Sequence, residues 1–266
     1  SNTPTATENV WGAGLKDAKR QSPSTALADV AQSVTGVILG IFLFCHMAFT
    51  SSVQISKDLF ANLINTSGGM FMFAEEQAWL HVVFVGFITL CVVIHAFCAL
   101  RRFPTSYHQL RDIKAHYKML RHEDTTLWMV QLVTAFLLFI FVFPHLISML
   151  CNPHGFDVNL IGVHTHHMGM IYTFVFLVIT ELHGMIGLYR LAVKWDIFAK
   201  NPETDIIDQR NGDRAGLRKT FLFIALLMIV CGTLTAWKNY SIGAELIENG
   251  QEATRYVLAD ENNWWK

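Results

Sequence analysis

The sequence predicts an all-α, polytopic membrane protein, with five transmembrane helices gathered in one bundle. Three observations predict it. Of 266 residues, 52% are hydrophobic and only 15% are charged, and the mean hydropathy of +0.35 is too apolar for an ordinary soluble domain. Five apolar runs each exceed the roughly 20 residues that cross the hydrocarbon of a bilayer. Lys and Arg collect in alternate loops between those runs. The net charge of −1 gives no reason to expect a nucleic acid partner.

Residues 1–26 form a polar tail with Lys16, Lys19 and Arg20 and no apolar core of the signal-peptide kind. The first run, 27–54, carries Gln32 and Ser33 at its entrance, a Gly36-x-x-x-Gly40 spacing suited to close helix packing, and His46 towards its far end. A loop, 55–76, contains the pair Glu75 and Glu76. The second run, 77–102, has His81 near its start and His95 near its end, and stops at Arg101, Arg102 and Pro104. The basic stretch 103–121 follows. The third run, 122–151, begins at His122, with Asp124, Thr125 and Thr126 as candidate caps, Trp128 close behind, and Pro144 and His145 near its end. Residues 152–164 contain no Lys or Arg. The fourth run, 165–193, contains Glu181 and His183. The fifth, 215–237, has no histidine, and an acidic tail occupies 238–266. One membrane domain over 27–237, between a tail of 1–26 and a tail of 238–266, accounts for the whole pattern. No internal repeat is evident.

The basic residues set the orientation. They lie in the first tail, in 101–121 and in 190–219, whereas 55–76 has only Lys57. The positive-inside rule then places the N-terminus in the cytoplasm and the C-terminus outside a bacterial inner membrane. With direction assigned, His46 and His145 fall at an outer level, and His95 and His183 at an inner one. At ~1.5 Å per residue the two levels are roughly 10–20 Å apart.

The stretch Thr180–Lys194, TELHGMIGLYRLAVK, organises the argument. A carboxyl and an imidazole at membrane depth are costly and usually mark a function. Gly184, beside His183, leaves room for something flat and large to approach the backbone. A lone intramembrane histidine would read as a hydrogen bond to a neighbouring helix or as a proton relay. Four, on four helices and at two depths, point instead to haem iron, which two axial imidazoles saturate so that electron transfer is favoured over oxygen binding. Two haems b are therefore expected. The five cysteines form no C-x-x-C or C-x-x-C-H, which argues against a disulfide framework and against covalent c-type haem. His122 and His164 stand where they could reach haem propionates. The cluster His164, His166 and His167 has metal-ligand spacing but no cysteine partner. His81 suits either a quinone pocket or an interface cap.

The stretches HAFCALRRFPTSYHQLR (95–111), RHEDTTLW (121–128) and ELHGMIGLYRLAVKW (181–195) resemble the single-chain, five-helix diheme cytochrome b anchor of quinol:fumarate reductase and succinate:quinone reductase. The resemblance extends from about Gln32 to the end of the fifth run. It implies that His95 and His183 ligate the haem nearer an iron–sulfur subunit and that His46 and His145 ligate the distal haem. It also implies that Gln32, Ser33, Trp128 and Lys194 hold the inner propionates, and that Glu181 carries protons. Some family members place a glutamate near the outer end of the second run. Here that stretch falls at Gly68 and Gly69, and Glu75, Glu76 and His81 are the nearby candidates for a quinone site.

The resemblance implies an anchor that moves electrons between membrane menaquinol and an iron–sulfur subunit with a flavoprotein interconverting fumarate and succinate, as in anaerobic respiration. The basic loops are the expected docking face, and the whole complex is a candidate dimer in the lipid. Two rivals remain open on the residues: the cytochrome b of another respiratory complex, and a haem-free proton-relay transporter.

Overall fold

The computed structural model describes residues 23–70, 72–73, 77–101, 103, 106, 108–109, 111–112, 123–195, 197 and 207–258, without the side chains of 23, 123–124 and 207–213. The described residues contain no strand. Helices α1 (Pro23–Ser51), α3 (Ala78–Leu100), α4 (Glu123–Cys151), α6 (Met170–Lys194) and α7 (Ile207–Glu248) are the long ones, and α2 (Lys57–Ser67) and α5 (Val158–Met168) are short. Five helices are long and apolar enough to cross a membrane. Their outward faces present large apolar side chains such as Phe87, Phe97, Phe136, Ile171 and Leu226. Such faces are stable against lipid, which is as apolar as they are.

Helix α1 packs on α3 and α6, α4 packs on α6, and α7 packs on α6 and α5. Arg101, just past α3, makes an ion pair with Asp29 of α1. That end of the bundle also carries Arg190, Lys194, Arg214 and Arg218 and is called the basic end below. The opposite, capped end is covered by α2 and α5, whose Phe60, Ile64, Val158 and Val163 form a core with Ile242 and Leu246 of α7.

The structure departs from the sequence reading in four places. Residues 55–76 contain a helix, because Phe60, Ala61 and Ile64 recur at helical spacing and Ser56 caps the start by accepting from the Leu59 amide at 2.9 Å. Residues 165–168 belong to α5 and not to the fourth span. Asp157 starts α5 by accepting from the amides of Asn159 and Leu160, and Gly169, at φ +81°, turns the chain into α6. Asp124, Thr125 and Thr126 lie inside the first turn of α4, which already includes Glu123, and do not act as its N-cap. Finally, α7 runs on to Glu248 instead of ending at 237. Its extension is held because Gly243 crosses Gly162 so closely that a Cβ on Gly243 would sit 2.2 Å from the Gly162 carbonyl oxygen.

The segment after α7 straps the cap. The Tyr256 amide donates to Asp157 Oδ2 at 3.1 Å, and its phenol donates to buried Asp58 Oδ1 at 2.8 Å. Burial and the Asp58 carboxylate push that phenol up to about 12. A raised value in the folded state means that this stabilisation is complete below the ordinary tyrosine value near ~10 and fades as pH climbs through about 12. Tyr256→Phe, which removes a hydrogen bond to a charged group, should cost about 1.5–3 kcal/mol of local stability. Amide exchange over 249–258 should accelerate in the variant at neutral pH and should lose its alkaline step. An alkaline step that survives in Tyr256→Phe would refute the assignment.

Candidate cofactor site between four helices

His95 on α3 and His183 on α6 face one another near the basic end, close enough for a charge on one to bear on the other. Each ring is held in the same way. His95 Nδ1 lies 3.2 Å from the Gln32 carbonyl oxygen and 3.2 Å from Thr35 Oγ1, both on α1. His183 Nδ1 lies 3.2 Å from the Gln131 carbonyl oxygen and 3.3 Å from Thr134 Oγ1, both on α4. A carbonyl oxygen only accepts, so Nδ1 is the protonated nitrogen on both rings. Nε2 is left with its lone pair, as a metal ligand requires.

Around this pair the helices come close at glycines. A Cβ on Gly36 would meet His95 Cε1 at 3.3 Å, and one on Gly187 would meet Gln131 Nε2 at 2.9 Å. The glycine spacing in α1 therefore serves two neighbours, since Gly40 abuts Leu188 of α6, where a Cβ would meet Cδ2 at 2.8 Å. Gly184 does not open towards a flat group. Leu43 of α1 fills its space, and a Cβ there would meet that side chain at 2.9 Å.

Towards the basic end the site becomes polar. Lys194 Nζ donates to Ser33 Oγ at 3.3 Å, and Ser33 Oγ donates to the Asp29 carbonyl at 2.8 Å. The Arg190 guanidinium donates to Gln131 Oε1. Thr125, Trp128, Tyr189, Arg190, Val193 and Lys194 line a cavity of about 430 Å³. Gln32 Oε1 is buried and has no hydrogen-bond partner among the described residues. Two cations and several donors beside an imidazole pair suit the carboxylates of a porphyrin. Arg190 was not among the residues singled out by sequence. It lies on one stripe of α6 with His183, Gly187 and Lys194, a spacing of whole helical turns that was available to read. His122 lies outside the described residues.

His46 on α1 and His145 on α4 face one another near the capped end, and His164 of α5 comes close to His145. Their neighbours are aromatic. Phe42 stacks on His46 with centroids 5.3 Å apart, and Phe176 meets His145 edge-on at 5.5 Å. Among the described residues neither ring has a hydrogen-bond partner.

The remaining candidates lie elsewhere. Glu181 is fully buried, and neither carboxyl oxygen has a partner among the described residues. It shares a stripe of α6 with Met185, which packs on Ala225 and Met228 of α7, so it does not lie on the imidazole face. His81 is buried in the cap, 3.3 Å from Ser67 Oγ and stacked on Phe156 at 4.3 Å. Gly69, in the Gly68–Gly69 stretch singled out by sequence, has φ +86°. Glu75 and Glu76 lie outside the described residues. His167 approaches Glu252 at 3.8 Å, and His166 packs on Tyr240.

The family profile described as succinate dehydrogenase/fumarate reductase transmembrane subunit matches residues 108–235. A fumarate reductase cytochrome b subunit of Helicobacter pylori strain 26695 is 35% identical, with 97% of each chain covered. The chain belongs to this family of fumarate reductase cytochrome b subunits. Another member, from Helicobacter pylori strain J99, is 34% identical over 97% of each chain, and one from Wolinella succinogenes is 32% identical over 84% of each. Membership makes the chain a multi-pass membrane subunit of an oxidoreductase complex and implies haem b, a flavoprotein and an iron–sulfur protein as companions.

Proposed function

We propose that this chain holds two haems b, one between His95 and His183 and one between His46 and His145, and connects menaquinol to fumarate reduction or succinate oxidation. The observation that carries the reading is the gathering of four imidazoles, one from each of α1, α3, α4 and α6, into two neighbouring pairs. The first residue after Thr35 and after Thr134 that returns to the same face as a histidine is about three turns on, at His46 and His145. The pairs are thus separated by roughly 16 Å along the helices at ~1.5 Å per residue.

When bound, the haems supply a one-electron relay between the two levels. The chain's own residues do the rest. The four imidazoles would ligate iron, His95 and His183 through Nε2. Lys194, Arg190, Ser33, Gln32 and Trp128 receive the propionates of the basic-end haem, together with His122, and His164 serves the other level. The basic end, with residues 101–121 and 190–219, faces the cytoplasm and docks the iron–sulfur subunit. That orientation places the N-terminal tail on the cytoplasmic side of a bacterial inner membrane, the five spanning helices within the membrane, and the segment after α7 outside. Menaquinol gives up two electrons and two protons near the capped end, with His81, Glu75 and Glu76 as the candidate quinone side chains. Glu181, buried on the α7 side of α6, passes protons back towards the basic end.

A reduced-minus-oxidised spectrum with a haem assay on the purified complex tests the reading. Two b-type haems per chain are expected. None, or a single one, would refute it.

A further inference from the structure

Gln32-Ser33-Val34-Thr35 on α1 and Gln131-Leu132-Val133-Thr134 on α4 are one pattern used twice. In each, the glutamine carbonyl and the threonine hydroxyl meet Nδ1 of a histidine on the neighbouring helix at 3.2–3.3 Å. In each, the hydroxyl hydrogen is already committed to its own helix: Thr35 donates to the Ala31 carbonyl at 2.7 Å and Thr134 to the Val130 carbonyl at 2.8 Å. The hydroxyl oxygen therefore faces the imidazole as an acceptor. Both threonines are buried, so water does not compete for the role. The same faces of α1 and α4 go on to supply His46 and His145. The two helices thus act as equivalents, each giving a ligand to one level and an acceptor pair to the other.

We propose that Thr35 and Thr134 are positioning residues that hold His95 and His183 as Nδ1–H tautomers and make the basic-end haem more electron-rich than the same ligands would alone. This rests on the ligand assignment of the preceding section. Two acceptors on Nδ1–H draw the proton away from the ring and leave Nε2 a stronger donor, which favours ferric over ferrous iron. His46 and His145, set among Phe42 and Phe176, lack such acceptors among the described residues. The two levels are therefore tuned differently by the protein.

Redox titration of the intact complex carrying Thr35→Val, Thr134→Val, both, or the serine replacements tests this. Valine keeps the shape and removes the oxygen. Each single valine variant should raise the ferrous-to-ferric ratio of one haem about threefold, roughly 28 mV for a one-electron couple, and the double variant about tenfold, roughly 59 mV. Serine should restore the original potential, and the other haem should not move. No shift with valine, an equal shift in both haems, or serine behaving like valine would overturn the proposal. Loss of one haem with valine but not with serine would support it, and equal loss with both would overturn it. His183→Ala run in parallel separates the two ideas. If that variant keeps both haems, the ligand assignment has failed. If it loses one while the valine variants are silent, only the tuning role has failed.

Discussion

His95→Ala and His183→Ala should each yield an assembled complex with one haem in place of two. On the proposed ligation the two rings serve one iron, so removing either would leave a single protein ligand and an open position in an apolar bundle. The other pair lies roughly 16 Å further along the helices and shares none of the four Nδ1 contacts at the basic end, so it should keep its haem as an independent site does. His46→Ala and His145→Ala should remove the other haem. Menaquinol-driven fumarate reduction should fall to background in all four variants, because either loss would interrupt the proposed relay. Reduction driven by a soluble artificial donor that feeds the iron–sulfur subunit directly should persist. A haem assay and both turnover assays read this out. Loss of both haems in an assembled complex, or of neither, would contradict the pairing.

Glu181→Gln should leave both haems in place and slow menaquinol-driven turnover by on the order of 100-fold, the lower end of what a proton-transferring group typically contributes. Glutamine matches the carboxyl in size and can still hydrogen-bond, but it cannot take up and release a proton. Glu181 is fully buried on the α7 side of α6, away from the imidazole face, so the substitution should not disturb ligation. With the artificial donor, which delivers electrons without quinol protons, the variant should match the parent. Unchanged menaquinol turnover would remove Glu181 from the proton path.

The five spans were legible because each needs only an uninterrupted apolar run, a property of neighbouring residues. The cap was not. Phe60 and Ile64 look like part of a short polar connection until Val158, Ile242 and Leu246 come in from distant parts of the chain to bury them. The continuation of α7 past 237 has the same cause, since the Gly162–Gly243 crossing joins segments far apart in sequence. Gly184 was misread for want of a neighbour, because nothing near it in the chain announces Leu43. Thr35, Thr134 and Arg190 left a readable trace, a repeated Gln-x-Val-Thr and a stripe of whole turns. A hydroxyl in an apolar helix usually bonds its own backbone, so the trace carries no direction until a partner is seen.

What the sequence determined alone was the number of spans, the depth of four histidines along them and the alternation of basic loops, since all three follow from position along a helix of fixed rise. Which carbonyls and hydroxyls hold the basic-end rings, and which nitrogen of those rings is left free, only the tertiary structure decided. Both depend on the rotation of each helix about its axis, and that rotation is set by packing against helices distant in the chain.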